Sequence, residues 1–510
     1  MKAAIIGGGI SGLSAGCYLQ MNGFDTEIFE MHSRPGGLCT SWKQGGYTFN
    51  ASLNWLMGSN ESSQFYQLWS ELIDMESIQF YTPEVRLEIE TLKNRDRNGN
   101  NVFRLYTNID RLEKYMLGIA PEDDRVIRKF IRQIRKLQTF EIPPKIRSLP
   151  QLLPWYKKIG YIRYLPLLFF LRRYGKITCY SFASQLKNPF LREAFEQLFN
   201  GDDMPILIHT IPLSYFDRKG AGYPICGASG FSEKIEAKYR SLGGTLHFNS
   251  KVEKILVKDH KAIGLQLKDG STVPADYVIS AADWRFTVFN ALEEKYVDRN
   301  ILALGNQEKL KVFHSVFFVF LGLNRIFTEH SGLFRFPLET PLLSPDGTEY
   351  QRMELHVHNY DPTLAPEGKT VVSVCLYTLR GDYWINLKDS EKNSYTQVKE
   401  EFAGQVMDIL EKKFGGIKGN IEQMNIATPA TFYRYTNNWK GSIQGWLPAK
   451  KIISPSPIHA ELPGLHHFYL AGHWTMPGGG LPVAIKSARD VAMLICHKER
   501  IEFKVIPSRK

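Results

Sequence analysis

Apolar residues along this chain fall into two patterns. Short unbroken apolar runs at residues 3–6 and 468–471 read as buried strands, and 26–29 as a second strand after the first. Helical spacing follows over 13–21, where Asn22-Gly23 ends it, and over 483–496. Longer runs at 312–323 and 370–377 predict buried strands of a second sheet. Alternation over 350–360 predicts a strand with Glu354, His356 and His358 on one face. Ile127, Ile131, Ile134 and Leu137 recur at helical spacing with Arg128, Arg132, Arg135 and Lys136 between them, an amphipathic basic helix. The polar run 94–101 predicts a hairpin tip, and 504–510 a frayed tail. No internal repeat stands out.

Composition narrows the class. At about 150 residues per unit, a chain of 510 residues predicts two or three domains. A content of 43% hydrophobic and 23% charged residues excludes a disordered polymer. The six cysteines show no metal-type or CxxC spacing, which suits a reducing, cytoplasmic setting. Met1-Lys2 runs straight into the first strand, so no signal peptide is expected. The longest apolar runs, 165–171 and 315–323, fall far short of the ~20 residues that span a bilayer.

The first strand leads into Gly7-Gly8-Gly9-Ile10-Ser11-Gly12, and the second closes on Glu30. Strand, GxGxxG turn, helix and a following acid make a dinucleotide-binding unit. Gly7 permits the tight turn, Gly9 lets backbone approach a pyrophosphate, and Gly12 lets helix and strand pack closely. The helix start offers free N–H groups to phosphate. Glu30 accepts hydrogen bonds from ribose hydroxyls and disfavours a 2′-phosphate. Arg34-Pro35-Gly36-Gly37 follows, a second approach to a pyrophosphate that plain nicotinamide dehydrogenases do not need. This tilts the choice to FAD. Near the other end, the strand at 468–471 leads into Gly472-His473-Trp474, then Pro477-Gly478-Gly479-Gly480-Leu481-Pro482 and a helix. Bare glycine backbone before a helix N-terminus suits a flat ligand and stabilises negative charge on it.

Charge is unevenly placed. Between residues 125 and 176 there are 14 Lys/Arg against one acid, Glu141, a net +13 in a chain whose total is +11. Nine aromatics share the window, among them Trp155, Tyr156, Tyr161, Phe169 and Phe170. The run Leu165-Pro166-Leu167-Leu168-Phe169-Phe170-Leu171, followed by Arg172-Arg173, is an apolar plug flanked by cations. Such a plug predicts peripheral contact with an anionic membrane. Nucleic acid is not expected, because it gives the plug no role.

These motifs resemble the phytoene desaturase, carotenoid isomerase and retinol saturase family of FAD enzymes. The matching stretches are Gly7–Gly12 through Glu30, Arg34–Gly37, Tyr223-Pro224 through Gly230, Asn249–Val252, 275–283, 361–368, and 470–482. The resemblance implies an α/β fold: a split, doubly wound FAD-binding domain with a second mixed-sheet and helical substrate domain. Its expected pieces are 1–80, 220–300 and 440–500 for the flavin domain, and 81–219 and 301–439 for the substrate and membrane-facing domain. It implies FAD contacts at Gly7, Gly9, Ser11, Gly12, Glu30, Arg34, Gly36 and Gly37, with Val252 at the adenine end. Gly472, Gly479, Gly480 and Leu481 would lie near the isoalloxazine. Two departures should sit near the flavin face. Phe49-Asn50-Ala51-Ser52-Leu53 stands where the family often has Phe-Asp-x-Gly-Pro, and His473-Trp474 where it has small residues.

The implied activity is desaturation, saturation or cis-trans isomerisation of a long apolar lipid, most directly a carotenoid or related isoprenoid. The cofactor carries the hard step, so no Ser-His-Asp or paired-carboxylate signature is needed, and none is found. His473 is a candidate hydrogen-bond or proton donor near the flavin, or simply a packed loop histidine. Glu354, His356 and His358 are read as a polar sheet face and not as a metal site. The electron acceptor leaves no legible mark. Two other classes compete: a flavin amine oxidase, which has no use for the cationic plug, and a non-enzymatic prenyl-lipid carrier of the Rab GDP-dissociation inhibitor type.

Overall fold

A computed structural model of the chain describes residues 1–140, 162, 164–198, 204–448 and 458–507. Its nucleotide end is a five-stranded sheet in the order Thr245–His247, Asp25–Phe29, Lys2–Ile6, Tyr277–Ser280 and Phe468–Leu470. Every pairing is parallel, and Ile5 stands between Ile28 and Ile279. Period two divides the central strand between two cores. Ala3 and Ile5 face the helices Ile10–Met21, Gly227–Ser241 and Leu481–Lys498. Ala4 and Ile6 face Val252, Ile255 and Leu265 of a small antiparallel sheet. Burial on both faces explains why Lys2–Ile6, Tyr277–Ser280 and Phe468–Leu470 are nearly continuous apolar runs.

The second sheet has seven strands, in the order Ile421–Ala427, Ser315–Leu323, Thr370–Thr378, Glu349–Val357, Gly332–Leu343, Val85–Glu90 and Val102–Tyr106. It is mixed: Gly332–Leu343 runs parallel to Val85–Glu90 and the other neighbours are antiparallel. The helix Lys392–Phe414 covers one face through Phe402, Val406 and Leu410. Helices Ile109–Ile119, Asp124–Gln138, Pro189–Glu196 and Leu207–Asp217 enclose a separate core around Phe103, Phe130 and Phe195. The architecture is therefore α/β, a five-stranded parallel sheet beside a seven-stranded mixed sheet and a helical cluster.

Several boundaries move. The first helix starts at Ile10, not at 13, so Gly12 lies inside its first turn. The strand Glu349–Val357 ends before His358. The tail is not frayed over 504–507: Asn22 Nδ2 donates to the Lys504 carbonyl at 2.9 Å, and the Lys504 N–H returns the bond to Asn22 Oδ1 at 2.7 Å. Residues 508–510 lie outside the described ones. The polar run 94–101 does join the hairpin Val85–Glu90 and Val102–Tyr106. Among the described residues no helix is long and apolar enough to cross a membrane.

Candidate functional site

One continuous cavity of about 1260 Å³ runs from the parallel sheet into the second sheet and the helical cluster. Its first wall is the turn after the first strand. Gly7 takes φ +95°, a left-handed conformation open to glycine. The Gly36 N–H donates to the Gly8 carbonyl at 2.9 Å, which seats the Arg-Pro-Gly-Gly segment directly on this turn. Ser11 Oγ is buried, lines the cavity and has no partner among the described residues. Together with the free N–H groups of the helix start, it forms a cradle whose donors lack an acceptor. Glu30 is buried beside it, accepting from the Gly8 N–H at 2.7 Å and the His32 N–H at 2.8 Å. Burial raises its carboxyl above the ordinary value, against the pull of those N–H groups.

The facing wall is the turn before the last helix. Gly472, Gly479 and Gly480 all take positive φ, of +116°, +40° and +85°. A Cβ on Gly479 would lie 2.1 Å from the Gln444 carbonyl oxygen, so the loop is packed down on Gln444. Gln444 Nε2 also donates to the Gly478 carbonyl. The helices Ile10–Met21 and Leu481–Lys498 thus start at the same cavity, from opposite ends of the chain.

Of the residues singled out by the sequence, Gly7, Gly9, Ser11, Glu30, Gly36, Gly37 and Val252 line this cavity on the nucleotide side. Gly472, His473, Gly479, Gly480 and Leu481 line it on the other. Gly12 and Arg34 do not. Gly12 is buried against Gly7, and Arg34 is exposed, with its guanidinium 3.5 Å from the Ser41 carbonyl. His473 presents a buried Nε2 without a partner among the described residues, and burial lowers its pKa to about 4. The ring is neutral at pH 7, which suits a hydrogen bond and not donation of a proton from imidazolium. Asn50 lies behind the wall, donating to Tyr223 OH at 2.7 Å while Ala51, Ser52 and Leu53 face the cavity.

The aromatic lining of the rest of the cavity leaves no motif in the sequence. Tyr81 and Tyr360 stack at 4.7 Å, Tyr223 meets Tyr360 edge-on, and all three line the cavity. Trp55, Phe216, Arg86, His209 and the buried ion pair Arg335–Glu354 close that end. Glu354 is held by Arg335, while His356 and His358 both hydrogen-bond Tyr360 OH at 3.2 Å.

The basic window divides. In helix Asp124–Gln138 the apolar side is buried in the helical core, and Arg128 and Arg135 pair with Asp124, Asp110 and Glu113. It is an ordinary core helix with a solvated face. The next helix, Leu165–Tyr174, differs: it buries Leu167 and Phe170, sets Leu171 on the cavity, and exposes Leu165, Leu168 and Phe169. Trp155, Tyr156, Lys157, Lys158 and Tyr161 lie outside the described residues.

Comparison with known proteins places these features. A family model described as flavin containing amine oxidoreductase matches residues 10–496. A 4,4′-diapophytoene desaturase (4,4′-diapolycopene-forming) of Methylomonas sp. is 25% identical over 98% of this chain and 96% of its own. A chloroplastic prolycopene isomerase of an Oncidium hybrid cultivar is 23% identical over 94% of this chain and 81% of its own. A solved putrescine oxidase, redesigned in its cofactor binding, superposes with a TM-score of 0.60 at 13% identity, covering 98% of this chain and 99% of that one. The last likeness is one of fold.

Proposed function

Because the chain belongs to the flavin-containing amine oxidoreductase family, and so is an FAD-dependent oxidoreductase, we propose that its substrate is a long apolar lipid. The best fit is a carotenoid or related isoprenoid, changed at its C–C or C=C bonds. One observation carries this reading: the nucleotide turns and an aromatic, apolar chamber are parts of one cavity of about 1260 Å³. That exceeds the ~300–1,000 Å³ of ordinary ligand pockets, leaving room for a long substrate beside a cofactor. The curated relatives, named for carotenoid desaturation and isomerisation, support the same class.

The residues fit FAD. The unpartnered Ser11 Oγ and the helix start would receive the pyrophosphate, with Gly9, Gly36 and Gly37 giving it bare backbone. Glu30 would take the ribose hydroxyls, and Val252 would border the adenine. Gly472, Gly479, Gly480 and Leu481 would border the isoalloxazine. Gly12 would act by packing, and Arg34 would have to turn inward to take part. Bound FAD supplies two-electron chemistry that exchanges a single C–C bond for a double one or the reverse. The chain's own part is to orient and to exclude water. Tyr81, Tyr223 and Tyr360 offer ring faces to a polyene, and neutral His473 offers a hydrogen bond at the glycine turn. We assign 1–80, 220–300 and 440–500 to the flavin domain, and 81–219 and 301–439 to the substrate domain.

The exposed Leu165, Leu168 and Phe169, next to Arg172 and Arg173 on the helix whose Leu171 borders the cavity, support peripheral docking on an anionic membrane. A lipid would then enter without crossing water. The amine reading has less support, because the chamber's one charge left uncompensated among the described residues is the positive Arg86, which repels an ammonium group. The test is anaerobic incubation of the FAD-loaded protein with carotenes, retinoids and diamines, followed by chromatography and flavin absorbance. Desaturated, saturated or isomerised polyenes are expected. Unchanged polyenes with flavin bleached by a diamine would replace this reading with amine oxidation.

A further inference from the structure

The chamber end of the cavity holds a charge that no carboxylate among the described residues neutralises. Arg86 lies in a β-bulge of strand Val85–Glu90, at the register shift between the pairs Val85–Tyr106 and Leu87–Leu105. Bulges re-aim side chains, and this one sends Arg86 to the cavity. Its guanidinium lies 5.0 Å from the Trp55 ring and 5.4 Å from the Phe216 ring. Its Nη1 is buried with no hydrogen-bond partner among the described residues.

The nearby acids are engaged elsewhere. Glu354 is held by Arg335, and the other Nη of Arg335 donates to the Gln197 carbonyl at 2.6 Å. Glu88 pairs with Arg104 and His330, and Glu90 with Lys413. His209 lines the same end, held neutral by burial and by the charges of Arg86 and Arg335. Among the described residues the local balance is one full positive charge in an apolar, aromatic setting. Burial lowers the Arg86 pKa only to about 10, so it stays charged. A buried charge is unfavourable unless paired. A planar guanidinium lying against the adjacent Trp55 and Phe216 rings, with an unused Nη1, suits a carboxylate bound through two parallel hydrogen bonds.

We propose that Arg86 anchors a carboxylate at one end of the lipid, so that the substrate is a polyene acid and not a pure hydrocarbon. The inference rests on the lipid reading above and names the end group that reading leaves open. The carboxylate occupies the Trp55–Phe216 corner, and the conjugated tail runs past Tyr81, Tyr223 and Tyr360 towards the glycine turns.

The test uses FAD-loaded protein at pH 8, titrated with retinoic acid, retinol and lycopene, and read by quenching of tryptophan fluorescence. Retinoic acid is expected to bind at least tenfold tighter than retinol. Arg86→Met should bring the two within threefold of each other, and Arg86→Lys should keep part of the preference. An unchanged flavin spectrum in both variants establishes that they fold. In ligand-free protein Arg86→Met should raise the Tm, because it removes an unpaired buried charge. Equal binding of acid and alcohol, or a preference that survives Arg86→Met, overturns the anchor. If lycopene or retinol then still binds, the lipid reading stands without it. If none of the three quenches, the lipid reading falls and the anchor with it.

Discussion

A Cβ on Gly12 would lie 1.9 Å from the carbonyl oxygen of Gly7, where no atom fits. Gly12 therefore sets how closely the first helix approaches the end of the first strand, and so how the free N–H groups face the cavity. Gly12→Ala should yield protein that purifies colourless, with a lower Tm. Gly404, in the helix Lys392–Phe414, has nothing within 4 Å of the same added atom. Gly404→Ala should keep FAD and gain roughly 0.5–1 kcal/mol. Flavin absorbance and thermal unfolding of both variants decide the matter, and yellow, stable Gly12→Ala protein would refute the packing argument.

The glycine turns were legible because they state a local requirement: a missing Cβ, at fixed spacing, between a strand and a helix. Nothing comparable marks the chamber. Arg335 and Arg86 reach the same cavity only because Gly332–Leu343 lies parallel to Val85–Glu90, with Arg335 opposite Ile89. That pairing joins distant stretches of chain and leaves no periodic trace. The alternation Glu354, His356, His358 was visible, but the strand ends at Val357, and Arg335 had already engaged Glu354. Likewise, the basic helix and the apolar plug look alike in sequence, and only their neighbours separate a core helix from an exposed one.

Arg335 and Glu354 are both buried, and each is the other's counter-ion. Removing one leaves an uncompensated charge in the cavity wall. Arg335→Met or Glu354→Leu alone should destabilise the protein by ~3–5 kcal/mol, and the double variant should recover most of it. Chemical denaturation of the four proteins measures the coupling. Additive losses would mean that the pair contributes through packing alone.

Phe169 is 67% exposed and Leu168 43%, too much apolar surface for a helix facing only water. Replacing both by aspartate should change stability little, since neither side chain is in the core. It should reduce sedimentation with phosphatidylserine vesicles at least tenfold. Arg172→Glu with Arg173→Glu should do the same, and for wild-type protein the binding should weaken as salt rises. Equal sedimentation of all variants would remove the membrane from the functional reading.

Stability should fall on acidification below pH 6.5. Burial lowers His356 and His473 from an ordinary value of 6.5 to about 4, and holds His209 and His358 well below that ordinary value. Between those values the unfolded chain binds protons that the folded rings refuse, so each depressed histidine favours unfolding as pH drops. Asp283 opposes them. Burial raises it from 3.8 to about 6, so it stabilises the folded state at low pH and loses that contribution as pH rises through 6. Burial also raises Glu30 and Asp490, but the four histidines, together with carboxylates held low by their partners such as Glu88 and Glu193, outweigh these three acids, so the net Tm should decline from pH 7 to pH 4.5. His356→Gln retains a polar group near Tyr360 without a titration, and should flatten the decline. A Tm that rises on acidification, or an unaltered slope in His356→Gln, would show that these rings are charged in the folded protein.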